Sequence, residues 1–146
     1  MLSRSRKLLF FALIFVLPVL AACAGPSGPT IINVDAGASD GYQMLLDKSS
    51  APPGTVTFKI TNNSTTLIHE FVVLKTDLAA DEMPLTAEND MDEEFLLANL
   101  VGEEVEDIQS GATAELTVEL VAGHYVLVCN LPGHYDQGMR ADFTVK

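Results

Sequence analysis

One stretch restricts this chain more than any other: Tyr125-Val126-Leu127-Val128-Cys129-Asn130-Leu131-Pro132-Gly133-His134-Tyr135-Asp136-Gln137-Gly138-Met139. An apolar run delivers Cys129 at the end of a strand, and Pro132-Gly133 turns the chain there. The turn lets His134 approach the same point, and the loop containing Gly138 returns Met139. Four residues separate Cys129 from His134, and four more separate His134 from Met139. Thiolate, imidazole and thioether are together good ligands for an ion that cycles between the softer Cu(I) and Cu(II).

A second imidazole must come from His69 or His124, the two remaining histidines. His69 lies within Leu67-Ile68-His69-Glu70-Phe71-Val72-Val73, where alternation places it beside Phe71 and Val73 on one strand face. A histidine on an apolar face is equally consistent with a hydrogen-bonded core residue, but the downstream Cys, His and Met favour a ligand. His124 follows Gly123 at a strand start and reads as a solvent-facing turn residue. His69, Cys129 and His134 with a weak axial Met139 form the ligand set of a blue-copper electron-transfer site holding one copper ion.

The rest of the chain reads as short strands between turns. Thr55 to Asn62 places Val56, Phe58 and Ile60 on one face and Thr55, Thr57, Lys59 and Thr61 on the other. Ile31 to Val34, Tyr42 to Leu46, Leu67 to Lys75, Ala114 to Leu120, Tyr125 to Cys129 and Arg140 to Val145 complete an all-β sandwich of about seven to eight strands. Residues 77–110 break the pattern. A weak helical period over Ala87 to Leu100 predicts a helix or a helical loop draped on the sandwich. The acidic run Glu103-Glu104-Val105-Glu106-Asp107 follows it.

The amino end has a different character. Arg4, Arg6 and Lys7 precede the apolar run Leu8 to Leu20, which is too short to span a bilayer comfortably and contains Pro18. A cleaved export signal over residues 1–22 is expected. Leu20-Ala21-Ala22-Cys23 resembles the lipobox of bacterial lipoproteins, which implies acylation of Cys23 and an extracytoplasmic domain held to a membrane by that anchor alone. Residues 23–30, rich in Gly, Pro and Ser, read as a flexible tether, leaving residues 31–146 for a single domain.

Beyond residue 22 the chain carries 20 acidic and five basic residues, a formal charge of −15. Such a surface repels nucleic acid and tolerates a basic partner protein. Cys129 has no second cysteine to pair with once Cys23 carries lipid, and metal ligation explains an otherwise unpaired thiol in an oxidising compartment.

The residues from 31 to 146 resemble the cupredoxins, the plastocyanin, azurin and auracyanin group, with a ligand loop similar to that of auracyanins and sulfocyanins. The resemblance implies a Greek-key sandwich. It makes His69, Cys129, His134 and Met139 the metal ligands, with Glu70, Asn63, Asn130 and Pro132 around them. It implies outer-sphere electron transfer by a monomer, with redox donor and acceptor proteins docking near His134 on a patch of Leu131, Pro132 and Tyr135. Many members have Asn directly after the first histidine, where this chain has Glu70, and Asn63 or backbone N–H groups are the substitutes for its hydrogen bonds.

Copper capture or delivery through the same site is the alternative function, to which Met44, Met83 and Met91 would contribute. Catalysis is not expected, because protein ligands fill the ordinary coordination positions. The His-Glu-x-x-His arrangement of metalloproteases is absent, since residue 73 is Val. A metal-free adhesive sandwich leaves the clustering of His134 and Met139 unexplained.

Overall fold

The computed structural model describes residues 28–38 and 41–146. The export segment, Cys23 and most of the tether lie outside the described residues. Among the described residues, nine strands form two facing sheets. The first contains β1 (Thr30–Ala38), β2 (Gln43–Leu46), β4 (Gly54–Asn62) and β7 (Thr113–Leu120) in the order β2-β1-β4-β7. The second contains β3 (Ser50–Ala51), β5 (His69–Lys75), β6 (Val105–Ile108), β8 (Gly123–Val128) and β9 (Arg140–Val145) in the order β3-β9-β8-β5-β6. β1 pairs parallel with β4 and β3 parallel with β9, while the other neighbours are antiparallel. The result is the expected Greek-key sandwich.

Alternation explains the first sheet. Val56, Phe58 and Ile60 of β4 are fully buried, and opposite them Val118 and Leu116 of β7 turn to the same core. The ring of Phe58 packs on Phe71 and Phe143 of the second sheet at centroid distances of 5.3 and 5.4 Å.

The second sheet is covered on both faces. Phe71 and Val73 face the sandwich core, whereas Val72 and Leu74 join Val126 and Val128 in a second cluster under the 77–110 insertion. Met83, Met91 and Leu96 of the insertion cap that cluster, as does Tyr135. Each large apolar side chain buried this way contributes about 1.5–3 kcal/mol relative to exposure, so the insertion is an integral second layer.

Two local expectations change. The helix α1 spans Glu93–Asn99 rather than beginning near Ala87, because Asp92 caps it by accepting from the Phe95 N–H at 2.9 Å. Residues before the cap turn through Asn89, whose φ is +63°, and the Leu85–Met91 bridge. The acidic run after the helix contributes to β6, an edge strand whose Glu106 and Asp107 face solvent. Charges on an edge oppose pairing with another chain. β6 and the two-residue β3 raise the strand total above the expected seven to eight.

Among the described residues, no helix is long and apolar enough to cross a membrane.

Candidate metal centre

Three elements converge at one end of the sandwich. His69 opens β5 and is completely buried, Cys129 follows directly on β8 and is also completely buried, and His134 stands in the turn between β8 and β9. Nδ1 of His69 and Nδ1 of His134 are 3.2 Å apart. Sγ of Cys129 lies 3.4 Å from the His134 nitrogen and 4.0 Å from the His69 nitrogen. The sequence separations of 60 and five residues are thus closed into one three-donor cluster.

Backbone bonds hold the ligand loop. The Cys129 N–H donates to the Met139 carbonyl at 3.0 Å, the Met139 N–H to the His134 carbonyl at 3.1 Å, and the His134 N–H to the Leu131 carbonyl at 2.9 Å. Gly133 and Gly138, with φ of +76° and +114°, supply left-handed turns that a side chain would strain. The Met139 side chain is completely buried in the same core cluster as Cys129.

The electrostatics suit a metal better than a proton. Burial pushes the Cys129 thiol up to about 11, with Glu70 and Leu131 backbone groups pulling weakly the other way and the Glu70 carboxylate adding to the rise. Burial first, then neighbouring His134, lowers His69 to about 4, while a backbone group of Gly41 opposes this weakly. Nε2 of His69 has no hydrogen-bond partner among the described residues. Burial also lowers His134. Both imidazoles are therefore neutral at neutral pH with lone pairs available, and a cation supplies the charge that lets the thiol ionise. Two nitrogens and a sulfur so disposed fit one copper ion.

The surrounding residues depart from expectation in instructive ways. The Glu70 N–H donates to Sγ of Cys129 at 3.3 Å, so the backbone makes a bond to sulfur whatever side chain stands at this position. Burial, then Glu104, Glu106 and Asp107, raise the Glu70 carboxyl above its ordinary value. Asn63 is exposed, whereas its neighbour Asn62 is completely buried. The Asn62 Nδ2 donates to the Leu67 and Ile108 carbonyls, both at 2.8 Å, and its Oδ1 accepts from the N–H and hydroxyl of Ser64. Asn62 thus ties the loop entering His69 to β6, a role the sequence reading did not assign.

Asn130 turns its Oδ1 to the Met91 N–H at 3.0 Å and braces the insertion. Pro132 is exposed beside His134. Tyr135 does not join the expected surface patch: it is buried, its hydroxyl donating to the Ala80 carbonyl at 2.7 Å and accepting from the Met83 N–H at 3.1 Å. Tyr42 meets the His134 ring instead, edge-on with centroids 5.1 Å apart. His124 stays away from the cluster, with its nitrogens 2.7 Å from the Thr76 carbonyl and 3.0 Å from Oδ1 of Asp142.

The fold recurs among solved copper proteins. An auracyanin from Roseiflexus castenholzii is 26% identical, with 83% of this chain and 99% of that one covered and a TM-score of 0.57. Auracyanin A, a "blue" copper protein from Chloroflexus aurantiacus, is 23% identical over 82% of this chain and 100% of its own, with a TM-score of 0.56. Rusticyanin from Thiobacillus ferrooxidans is 22% identical over 82% of this chain and 79% of its own, with a TM-score of 0.57. No curated protein sequence matches the chain.

A cupredoxin sandwich with His69, Cys129 and His134 clustered at one end presents a type 1 copper electron-transfer site, the site of an electron carrier rather than an enzyme. Residues 16–146 match the family described as the sulfocyanin (SoxE) domain, and the chain belongs to that family.

Proposed function

We propose that this protein is a membrane-tethered copper carrier that relays single electrons between two redox proteins outside the cytoplasm. His69, Cys129 and His134 are the strong ligands and Met139 the weak thioether donor. The observation carrying this reading is the convergence of two imidazole Nδ1 atoms and one thiol within 4.0 Å of one another. Copper bound there supplies a one-electron Cu(I)/Cu(II) couple.

The residues themselves do the rest. Burial of His69 and Cys129 excludes water, and the Glu70 N–H steadies the sulfur. The closed backbone of the 129–139 loop holds the donors in place in both oxidation states, which keeps rearrangement small when an electron passes. His134, the least buried ligand, is the electron's exit, bordered by Tyr42, Leu131 and Pro132. A small docking face of this kind suits a transient encounter of two monomers.

The same burial disfavours copper delivery, because an acceptor's ligands reach neither His69 nor Cys129 without opening the sandwich. The leader over residues 1–22, acylation of Cys23 and a tether over residues 23–30 complete the proposal, supported by the charged, apolar and small-residue order of the amino end.

The test is the visible spectrum of copper-loaded protein. An intense thiolate-to-copper band that bleaches on reduction and returns on oxidation is expected; Cys129→Ser should abolish it, and Met139→Leu should chiefly shift its position and the potential. A band that survives in the Cys129 variant would remove the assignment.

A further inference from the structure

The start of β1 and the metal cluster lie at opposite poles of the sandwich. Thr30 begins β1 beside Val56, two residues from Gly54 at the start of β4. Gly54 faces Leu120 at the end of β7, and Val121-Ala122 leads from there into Gly123 at the start of β8. Cys129 lies at the far end of β8. The other end of β1 confirms the polarity: a Cβ placed on Gly37 would stand 2.8 Å from Nε2 of His69. The seven steps from Thr30 to Gly37 span about 23 Å at the usual strand rise.

From this polarity we infer that the anchored protein holds its copper pole away from the bilayer and presents His134 to a redox partner on the aqueous side, rather than to an electron donor dissolved in the membrane. The inference rests on acylation of Cys23, proposed above. Six residues lie between Cys23 and Thr30, and the seven steps of chain between them reach at most about 25 Å when fully extended. Inverting the domain so that His134 touches lipid would require the tether to climb the whole side of the sandwich, about 23 Å, using nearly all of that length. Full extension is entropically unfavourable for a Gly-, Ser- and Pro-containing segment. The excess of acidic over basic residues in the domain adds repulsion from anionic headgroups at any orientation. The partner is therefore a protein whose redox centre stands clear of the bilayer, either free in solution or raised on its own exposed domain.

The experiment uses full-length acylated, copper-loaded protein on phosphatidylcholine vesicles containing a trace of acceptor-labelled lipid, with copper protecting Cys129 from labelling. A donor dye is attached through Val121→Cys at the tether pole or Asn63→Cys at the copper pole, both exposed positions. Strong energy transfer from position 121 and loss of most of it at position 63 is the expected result. Equal transfer from both positions, or stronger transfer from 63, overturns the orientation while leaving the anchor intact. No transfer from either position, matching a Cys23→Ser control, overturns the anchor and the orientation with it, without touching the copper assignment.

Discussion

Gly37 lies against the back of His69, where a Cβ would come within 2.8 Å of Nε2 and 2.9 Å of the Ser64 Cβ and backbone nitrogen. Its φ of +90° is also one that a side chain adopts only under strain. Gly37→Ala should therefore displace the imidazole as well as destabilise the fold by about 1–3 kcal/mol. Gly111, at φ +74° with open space around its Cβ position, separates the two effects. Gly111→Ala should lower the thermal midpoint and leave the copper spectrum unchanged, whereas Gly37→Ala should change both.

The contrast between Asn62 and Asn63 makes a second prediction. Asn62→Ala leaves the Leu67 and Ile108 carbonyls and the Ser64 donors without their shared partner in a buried place, and should cost about 2–4 kcal/mol in denaturant unfolding. Asn63→Ala, at an exposed position, should stay within about 0.5 kcal/mol of the parent.

Metal-free protein should weaken in acid through His69. Its folded value of about 4 lies below the ordinary 6.5, so the unfolded chain binds the proton first. Stability is complete above about 6.5 and falls as the pH descends towards about 4, by roughly 3 kcal/mol in all. Urea unfolding of the copper-free protein across that window measures the slope, and a flat profile would show that His69 is not held neutral. Copper should suppress the slope by occupying the nitrogen lone pair.

Glu70→Gln removes a half-buried charge that sits among Glu104, Glu106 and Asp107 and close to the cysteine sulfur, but keeps the backbone N–H that bonds it. The variant should unfold at a higher temperature, by an amount worth a few tenths to about 1 kcal/mol. Its reduction potential should move upward, since a nearby negative charge favours the more highly charged oxidised ion. Cyclic voltammetry of both proteins reads the shift, and an unchanged potential would place the Glu70 charge outside the site's field.

Two kinds of strand were legible in the sequence: alternating ones with one wet face, and the continuous apolar runs of β5 and β8, which are covered on both faces. The alternation of Thr55–Asn62 and Ala114–Leu120 survives into the structure because each residue has a single environment. β6 was illegible because Glu103 to Asp107 look like a solvated run; its strand character comes from β5, whose His69 pairs with Ile108 and Phe71 with Val105. Tyr135 was misplaced because nothing local announces the insertion that covers it. Gly37 did leave a signal, since a lone glycine inside a strand often marks a close approach of another group. The donor cluster was legible because Cys129 and His134 fall within one short stretch, together with the proposed ligand Met139, while His69 was separable from His124 through the apolar neighbours on its strand face.

The hydrogen bond from the Cys129 N–H to the Met139 carbonyl, with Arg140 pairing Val128 just beyond it, closes the ligand loop at its neck. Between those two residues the loop is fastened again from the side, by Asn130 accepting from the Met91 N–H and by the buried Tyr135 hydroxyl on Ala80 and Met83. The segment that carries His134 is therefore ordered by the fold itself, so the entropy of arranging that imidazole is lost when the chain folds and not when a metal enters.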